Sequence, residues 1–155
     1  MIWKQKNFYI ALGIPLAVGG LAALLSGGMG NFETMNKPPL SPPGWVFPVV
    51  WTILYLLMGY SSYRIYTSKA PSHKIRSALK LYIAQLAVNF LWPIVFFGFS
   101  QYLAAFFVLL ALWLLIFWTI QRFTKIDTKA GDLLLPYLIW VTFAGYLNLG
   151  IYLLN

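Results

Sequence analysis

The side chains that could do chemistry in this 155-residue chain are amides and indoles that lie inside apolar, uncharged stretches. Gln85, Asn89 and Trp92 have the spacing i, i+4, i+7, which places them on one face of a helix. Trp140 and Asn148 are eight residues apart and share a face in the same way. Because such groups form hydrogen bonds and stack on flat rings, the pattern favours binding of a flat aromatic ligand.

Helices within a membrane must position these side chains. The chain is 61% hydrophobic and only 9% charged, with a mean hydropathy of +0.75, and charge-free stretches are long enough for five helices that cross a hydrocarbon core of about 30 Å. We predict an all-α integral membrane protein, a five transmembrane helix bundle that forms one domain over residues 1–155. The predicted spans are residues 7–29, 45–66, 77–97, 101–122 and 131–154. Pro93 should kink the third span, because proline lacks a backbone N–H.

The positive charges sort by loop. If the N-terminus is inside, ten of the eleven lysines and arginines fall on the inner side and only Lys37 on the outer side. This predicts a multi-pass membrane protein with a cytoplasmic N-terminus, whose first loop and C-terminus are outside and whose inner loops face membrane lipid. The chain has no cysteine and no basic stripe with interleaved aromatics, so we expect no Cys-based metal site and no nucleic-acid partner.

Depth in the membrane brings the amides and indoles together. At a rise of about 1.5 Å per residue, four of them lie roughly 9 to 13 Å below the outer surface. They are Trp51, Asn89, Trp92 and Asn148. Gln85 and Trp140 are deeper, and Tyr55 is one turn below Trp51. A single amide in a membrane helix more often serves as a hydrogen bond between helices, but matched depth on three helices favours a pocket.

The first loop, residues 30–44, contains four prolines between Pro38 and Pro43. Each proline restricts its own φ and the conformation of the preceding residue, so the loop loses less entropy when it orders. We therefore interpret it as a semi-rigid lid over the pocket.

Three segments, KPPLSPPGWVFPVVWTILYLLMGYSSY, QLAVNFLWPIVFFG and FTKIDTKAGDLLLPYLIWVTFAGYLNLGIYLLN, together resemble the TspO/MBR family. This family includes translocator proteins of the peripheral benzodiazepine receptor type and bacterial tryptophan-rich sensory proteins. The resemblance runs from Lys37 to Asn155. It implies five packed spans, usually as a homodimer, that bind porphyrins such as protoporphyrin IX, or synthetic benzodiazepine-site ligands, under the first loop. The pocket positions that it implies are Pro42, Pro43, Trp51, Asn89, Trp92, Trp140, Ala144, Leu147 and Asn148, to which Tyr55 and Gln85 are added from the pattern of polar groups.

The predicted function is that of a membrane binding protein or sensor for porphyrins. Two alternatives stay open: light- and oxygen-dependent porphyrin degradation, with Trp51 and Trp140 as electron donors, and transport of tetrapyrroles or sterols. The sequence contains no carboxylate pair, catalytic triad or metal cluster that would indicate a conventional enzyme, and we predict no cofactor.

Overall fold

The computed structural model describes residues 2–27 and 32–155, and this part of the chain is helical without strands. The α-helices are α1 (Ile2–Leu25), α2 (Val46–Tyr66), α3 (Ser72–Pro93), α4 (Tyr102–Ile126), α5 (Thr128–Leu133) and α6 (Leu135–Leu154). Five segments are long and apolar enough to cross a membrane: Gln5–Leu25, Val46–Tyr66, Ser72–Gly98, Tyr102–Ile126 and Thr128–Leu154. The prediction of an all-α bundle of five membrane spans is confirmed.

The third span departs from a regular helix at Pro93. Helix α3 begins at Ser72, more than a turn before the predicted start at residue 77, and its α-helical part ends at Pro93. One wider π turn, Ile94–Gly98, follows and is closed by the bond from Phe99 N to Ile94 O at 3.0 Å. Proline has no backbone N–H and therefore interrupts the hydrogen bonds of the helix, and the wider turn follows directly after Pro93.

The helices form a bundle in which α1 packs on α2 and α3, α3 on α4, and α4 on α6. Large side chains fill its centre, among them Met58, Phe123 and Tyr137, each at most 1% exposed. Helix α1 lies close to α2 at Gly59, where an added Cβ would be 2.6 Å from the Ala11 carbonyl oxygen. This close approach allows a first helix that is otherwise poorly buried to pack on the bundle.

The short helix α5 ties the end of α2 to the end of α4. The Asp127 carboxylate caps α5 by accepting from Lys129 N at 3.1 Å, and it accepts from Arg64 Nε at 2.8 Å. Partial desolvation opposes ionisation of Asp127, but the hydrogen bonds and charge of Arg64 outweigh it and hold the pKa of Asp127 below its ordinary value. Ser61 Oγ donates to Ala130 O at 2.7 Å in the same corner. We call this end of the bundle, where α2 and α4 end and α3 and α5 begin, the basic end.

Candidate ligand-binding site

A cavity of about 330 Å³ lies between α1, α2 and α3, in the half of the bundle opposite to the basic end. Small residues of α1 form one wall: Gly19, Gly20, Ala22 and Ala23. Aromatic residues of α2 and α3 form the other walls: Phe47, Trp51, Tyr55, Trp92 and Phe97. Asn89 contributes an amide, and the described lining residues include no charged side chain. This is a mostly apolar site with few polar groups, the composition typical of small-molecule pockets.

The small residues of α1 make room for the aromatic wall. A Cβ on Gly19 would collide with the ring of Tyr55, so a larger residue at this position would push Tyr55 away or fill the cavity. Trp51 stacks on Tyr55 with ring centroids 5.5 Å apart and contacts Tyr137 edge-on at 6.1 Å. Side chains on α2 and α6 therefore fix the orientation of the Trp51 indole.

A chain of buried hydrogen bonds lies beneath the cavity. Tyr55 Oη donates to Asn89 Oδ1 at 2.9 Å, and Asn89 Nδ2 donates to Tyr137 Oη at 2.7 Å. Tyr137 Oη in turn donates to Gln85 Oε1 at 2.7 Å. Because Asn89 is bonded on both sides, the chain links α2, α3 and α6 and fixes the Asn89 amide, while the buried Gln85 Nε2 has no partner among the described residues. Gln85 is linked to the Asn89 side chain through Tyr137 and is not among the described lining residues.

Asn148 is 1% exposed and crosslinks three helices, with no part in the described lining of the cavity. Its Oδ1 accepts from Trp92 Nε1 at 2.9 Å, and its Nδ2 donates to Tyr102 O at 2.8 Å. The Trp92 ring also stacks on Phe96 at 5.1 Å. Asn148 therefore acts on the site by orienting Trp92.

The other predicted residues of α6 lie behind the cavity wall. Ala144 and Leu147 are buried in the bundle, and neither is a described lining residue. Trp140 packs edge-on against Phe47, with ring centroids 5.6 Å apart, and Phe47 separates it from the cavity. The buried Trp140 Nε1 has no hydrogen-bond acceptor among the described residues. The structure thus brings Trp51, Tyr55, Asn89 and Trp92 to the cavity and places Trp140 one layer further out.

The proline-rich loop lies at the end of the bundle that contains the cavity and is tied mainly to α6. Tyr146 Oη donates to Pro39 O at 2.6 Å, and Asn155 Nδ2 donates to Asn36 O at 2.8 Å. Pro38 is buried against Gly150, where an added Cβ would be 2.5 Å from its Cγ. Pro42 and Pro43 follow and lead into α2, outside the described cavity lining. Residues 28–31, which include the end of the predicted first span and the beginning of the predicted loop, lie outside the described residues.

Comparison with known proteins gives the chain a family. The TspO/MBR family profile matches residues 11–154. The chain belongs to the TspO/MBR family. It is 40% identical over 142 residues to the tryptophan-rich sensory protein of Cereibacter sphaeroides, covering 92% of this chain and 85% of that protein. It is 38% identical over 155 residues to the translocator protein homolog of Schizosaccharomyces pombe, covering 97% and 93%. To the translocator protein of Bos taurus it is 37% identical over 138 residues, covering 87% and 82%.

Membership of the TspO/MBR family confirms the resemblance seen in the sequence and, with the five spans, shows a multi-pass membrane protein. The structure adds residues that the sequence analysis did not assign to the site. The wall of α1 is one such group, since Gly19 and Ala23 have no polar or aromatic side-chain atoms that would indicate a binding site. Tyr137 is another, although its spacings of seven and eleven residues to Ala144 and Asn148 place it on their helix face.

Proposed function

We propose that this TspO/MBR family member is a binding protein or sensor for flat, largely apolar ligands of the porphyrin type. The same cavity would take synthetic benzodiazepine-site ligands. The observation that carries this proposal is the convergence of Trp51, Tyr55 and Trp92 with a single fixed amide on one uncharged cavity. Indole and phenol rings offer stacking surfaces to a macrocycle, and Asn89 offers a defined polar contact. The predicted homodimer stays a prediction.

The position of the cavity suits an amphiphilic ligand. Its floor is at Tyr55 and Asn89, and it extends to Ser26, Phe47 and Phe97 at the end of the bundle where the loop lies. Several lining residues of α1 and α2, including Leu16 and Thr52, are exposed on the outer face of the bundle. An apolar ring system can therefore occupy the cavity while carboxylates remain near the aqueous end.

The test is a porphyrin titration that follows quenching of tryptophan fluorescence in the detergent-solubilised protein. Trp51→Phe should weaken binding several-fold, since the smaller ring loses stacking area, and Gly19→Leu should weaken it roughly tenfold by filling the cavity. The matched controls are Trp113→Phe, an indole bonded to Thr142 away from the cavity, and Gly13→Leu, which meets open space on α1. Equal porphyrin affinities for wild type and both cavity variants would contradict the assignment of the binding site.

A second candidate function, light-dependent porphyrin breakdown, is favoured by the stack of Trp51 on Tyr55 beside Tyr137. In this hypothesis Trp51 gives an electron to the photoexcited porphyrin and dioxygen is the oxidant. The structure favours Trp51 over Trp140 as the donor, because Phe47 lies between Trp140 and the cavity. Under illumination in air, Trp51→Phe should slow the loss of the porphyrin absorption bands more than Trp140→Phe does. If wild type, Trp51→Phe and Trp140→Phe all lose the porphyrin bands at the same rate as porphyrin without protein, the protein does not promote the breakdown.

A further inference from the structure

A groove of about 520 Å³ lies at the basic end of the bundle, between the beginning of α3 and the end of α4. It is far from the porphyrin cavity and shares no lining residue with it. The residues that line it are His73, Arg76, Ser77, Lys80, Leu81 and Arg122. Three of these six are permanent cations, so the groove is a concentrated positive site.

Nothing acidic in the lining balances these cations. The whole chain has only three acidic residues, and one of them, Asp127, already pairs with Arg64. Arg122 is held in place across the groove, because its guanidinium donates to Ser77 Oγ. That bond uses one of the five N–H donors of the guanidinium, which leaves others for an anion. The described lining of the groove therefore offers cations without an acidic partner, to which an anion from outside the chain can bind.

An apolar surface continues from the groove toward the middle of α4. A second groove, of about 630 Å³, shares Leu81 and Arg122 with the first and is also lined by Phe117, Trp118, Gln121 and Lys125. Leu81, Phe117 and Trp118 supply its apolar part. Trp118 is 55% exposed and lies one turn from Arg122, about 6 Å toward the centre of the span. A ligand that fits both grooves has an anionic group at one end and hydrocarbon beside it.

We propose that this pair of grooves is a binding site for an anionic phospholipid. The phosphate is bound by Arg76, Lys80 and Arg122, and the acyl chains lie along Leu81, Phe117 and Trp118. Basic pockets between membrane helices bind anionic head groups in this way, and an aromatic residue beside the cations suits the boundary between head group and chain. The apolar side chains beside the groove favour a lipid over a free phosphate, because a free phosphate has no hydrocarbon that could contact them.

Native mass spectrometry of the full chain in detergent tests the proposal, with phosphatidylglycerol and phosphatidylcholine of identical acyl chains as probes. Wild type should retain phosphatidylglycerol in preference, and Arg76→Gln with Lys80→Gln should weaken its retention roughly tenfold. The matched control is Lys69→Gln with Lys74→Gln, which removes the same charge from neighbouring residues outside the groove and should change retention less than twofold. Equal losses in both double variants would mean general surface attraction and would overturn the site.

Two further measurements separate a lipid from a phosphate. Millimolar glycerol phosphate should leave the bound phosphatidylglycerol in place, and Trp118→Ala should weaken retention of the lipid while Trp113→Ala does not. Displacement by glycerol phosphate, or no effect of Trp118→Ala, would overturn the assignment of the acyl chains. Thermal unfolding without added lipid shows whether each variant is folded, and porphyrin binding in the other half of the bundle should be unchanged in all of them.

Discussion

The two halves of the bundle differ in whether their polar side chains are paired within the chain. Around the cavity between α1, α2 and α3, Tyr55, Asn89 and Tyr137 are joined by hydrogen bonds of 2.7 to 2.9 Å. At the basic end, Arg76 and Lys80 line a groove that holds no acidic residue. In the first half most polar side chains are paired within the chain, whereas in the second the described lining of the groove has cations without an acidic partner.

This difference predicts two kinds of selectivity. A cavity with a fixed amide and no charged side chain in its described lining selects its ligand by shape, stacking and a polar contact, so its affinity should change little with salt. A groove with excess positive charge selects by the charge of its partner, and its exposed interactions are screened by salt. Measuring both affinities across a salt series would therefore distinguish the two halves in a single preparation.

The largest effect is expected from Asn89→Leu, which removes the centre of the closed network. Tyr55 Oη would lose its acceptor and Tyr137 Oη its donor, so we expect a loss of about 1 to 3 kcal/mol in the free energy of unfolding, together with weaker porphyrin binding. Thermal unfolding in detergent measures the stability. The control is Gln101→Leu, since Gln101 is an exposed amide at the start of α4 without a side-chain capping bond. Equal unfolding temperatures for the two variants would contradict the network.

The sequence predicted the spans and the α2 and α3 part of the site because their signals are chemical and periodic. Trp51, Asn89 and Trp92 are rare polar or aromatic groups at helical spacing, and the structure brings them to one cavity. The part supplied by α1 could not be predicted, because glycine and alanine become a binding wall only through what packs opposite them. The position of Trp140 depends on the Phe47 ring in front of it, a contact between helices that spacing within α6 does not contain.

A smaller effect is expected where the loop is tied to α6. Tyr146→Phe with Asn155→Ala removes hydrogen bonds to Pro39 and Asn36, so chymotrypsin should cleave after the 83% exposed Leu40 roughly three- to tenfold faster. Fragments identified by mass spectrometry give the rate. Tyr152→Phe is the control, because Tyr152 is an exposed tyrosine on the same helix. In wild type, added porphyrin should slow this cleavage. If neither porphyrin nor the substitutions change the rate, the loop only connects α1 to α2 and is not a lid over the cavity.

The smallest effect is expected from Asp127→Asn at the basic end, where one ion pair is already partly in water. The substitution removes the negative charge that attracts Arg64 and keeps an amide as the cap of α5, so it should lower Tm by on the order of 1 to 2 °C at pH 7. Because the pKa of Asp127 in the folded protein lies below its ordinary value, the stabilisation is fully present above about pH 4. It is lost as the pH falls through the lowered pKa, since the protonated carboxyl no longer carries the charge that Arg64 attracts. The difference in Tm between wild type and Asp127→Asn should therefore be constant from pH 7 to pH 5 and shrink below about pH 4. A difference that grows on acidification would show that Asp127 is stabilised in its neutral form and that the basic end is held together by something other than this pair.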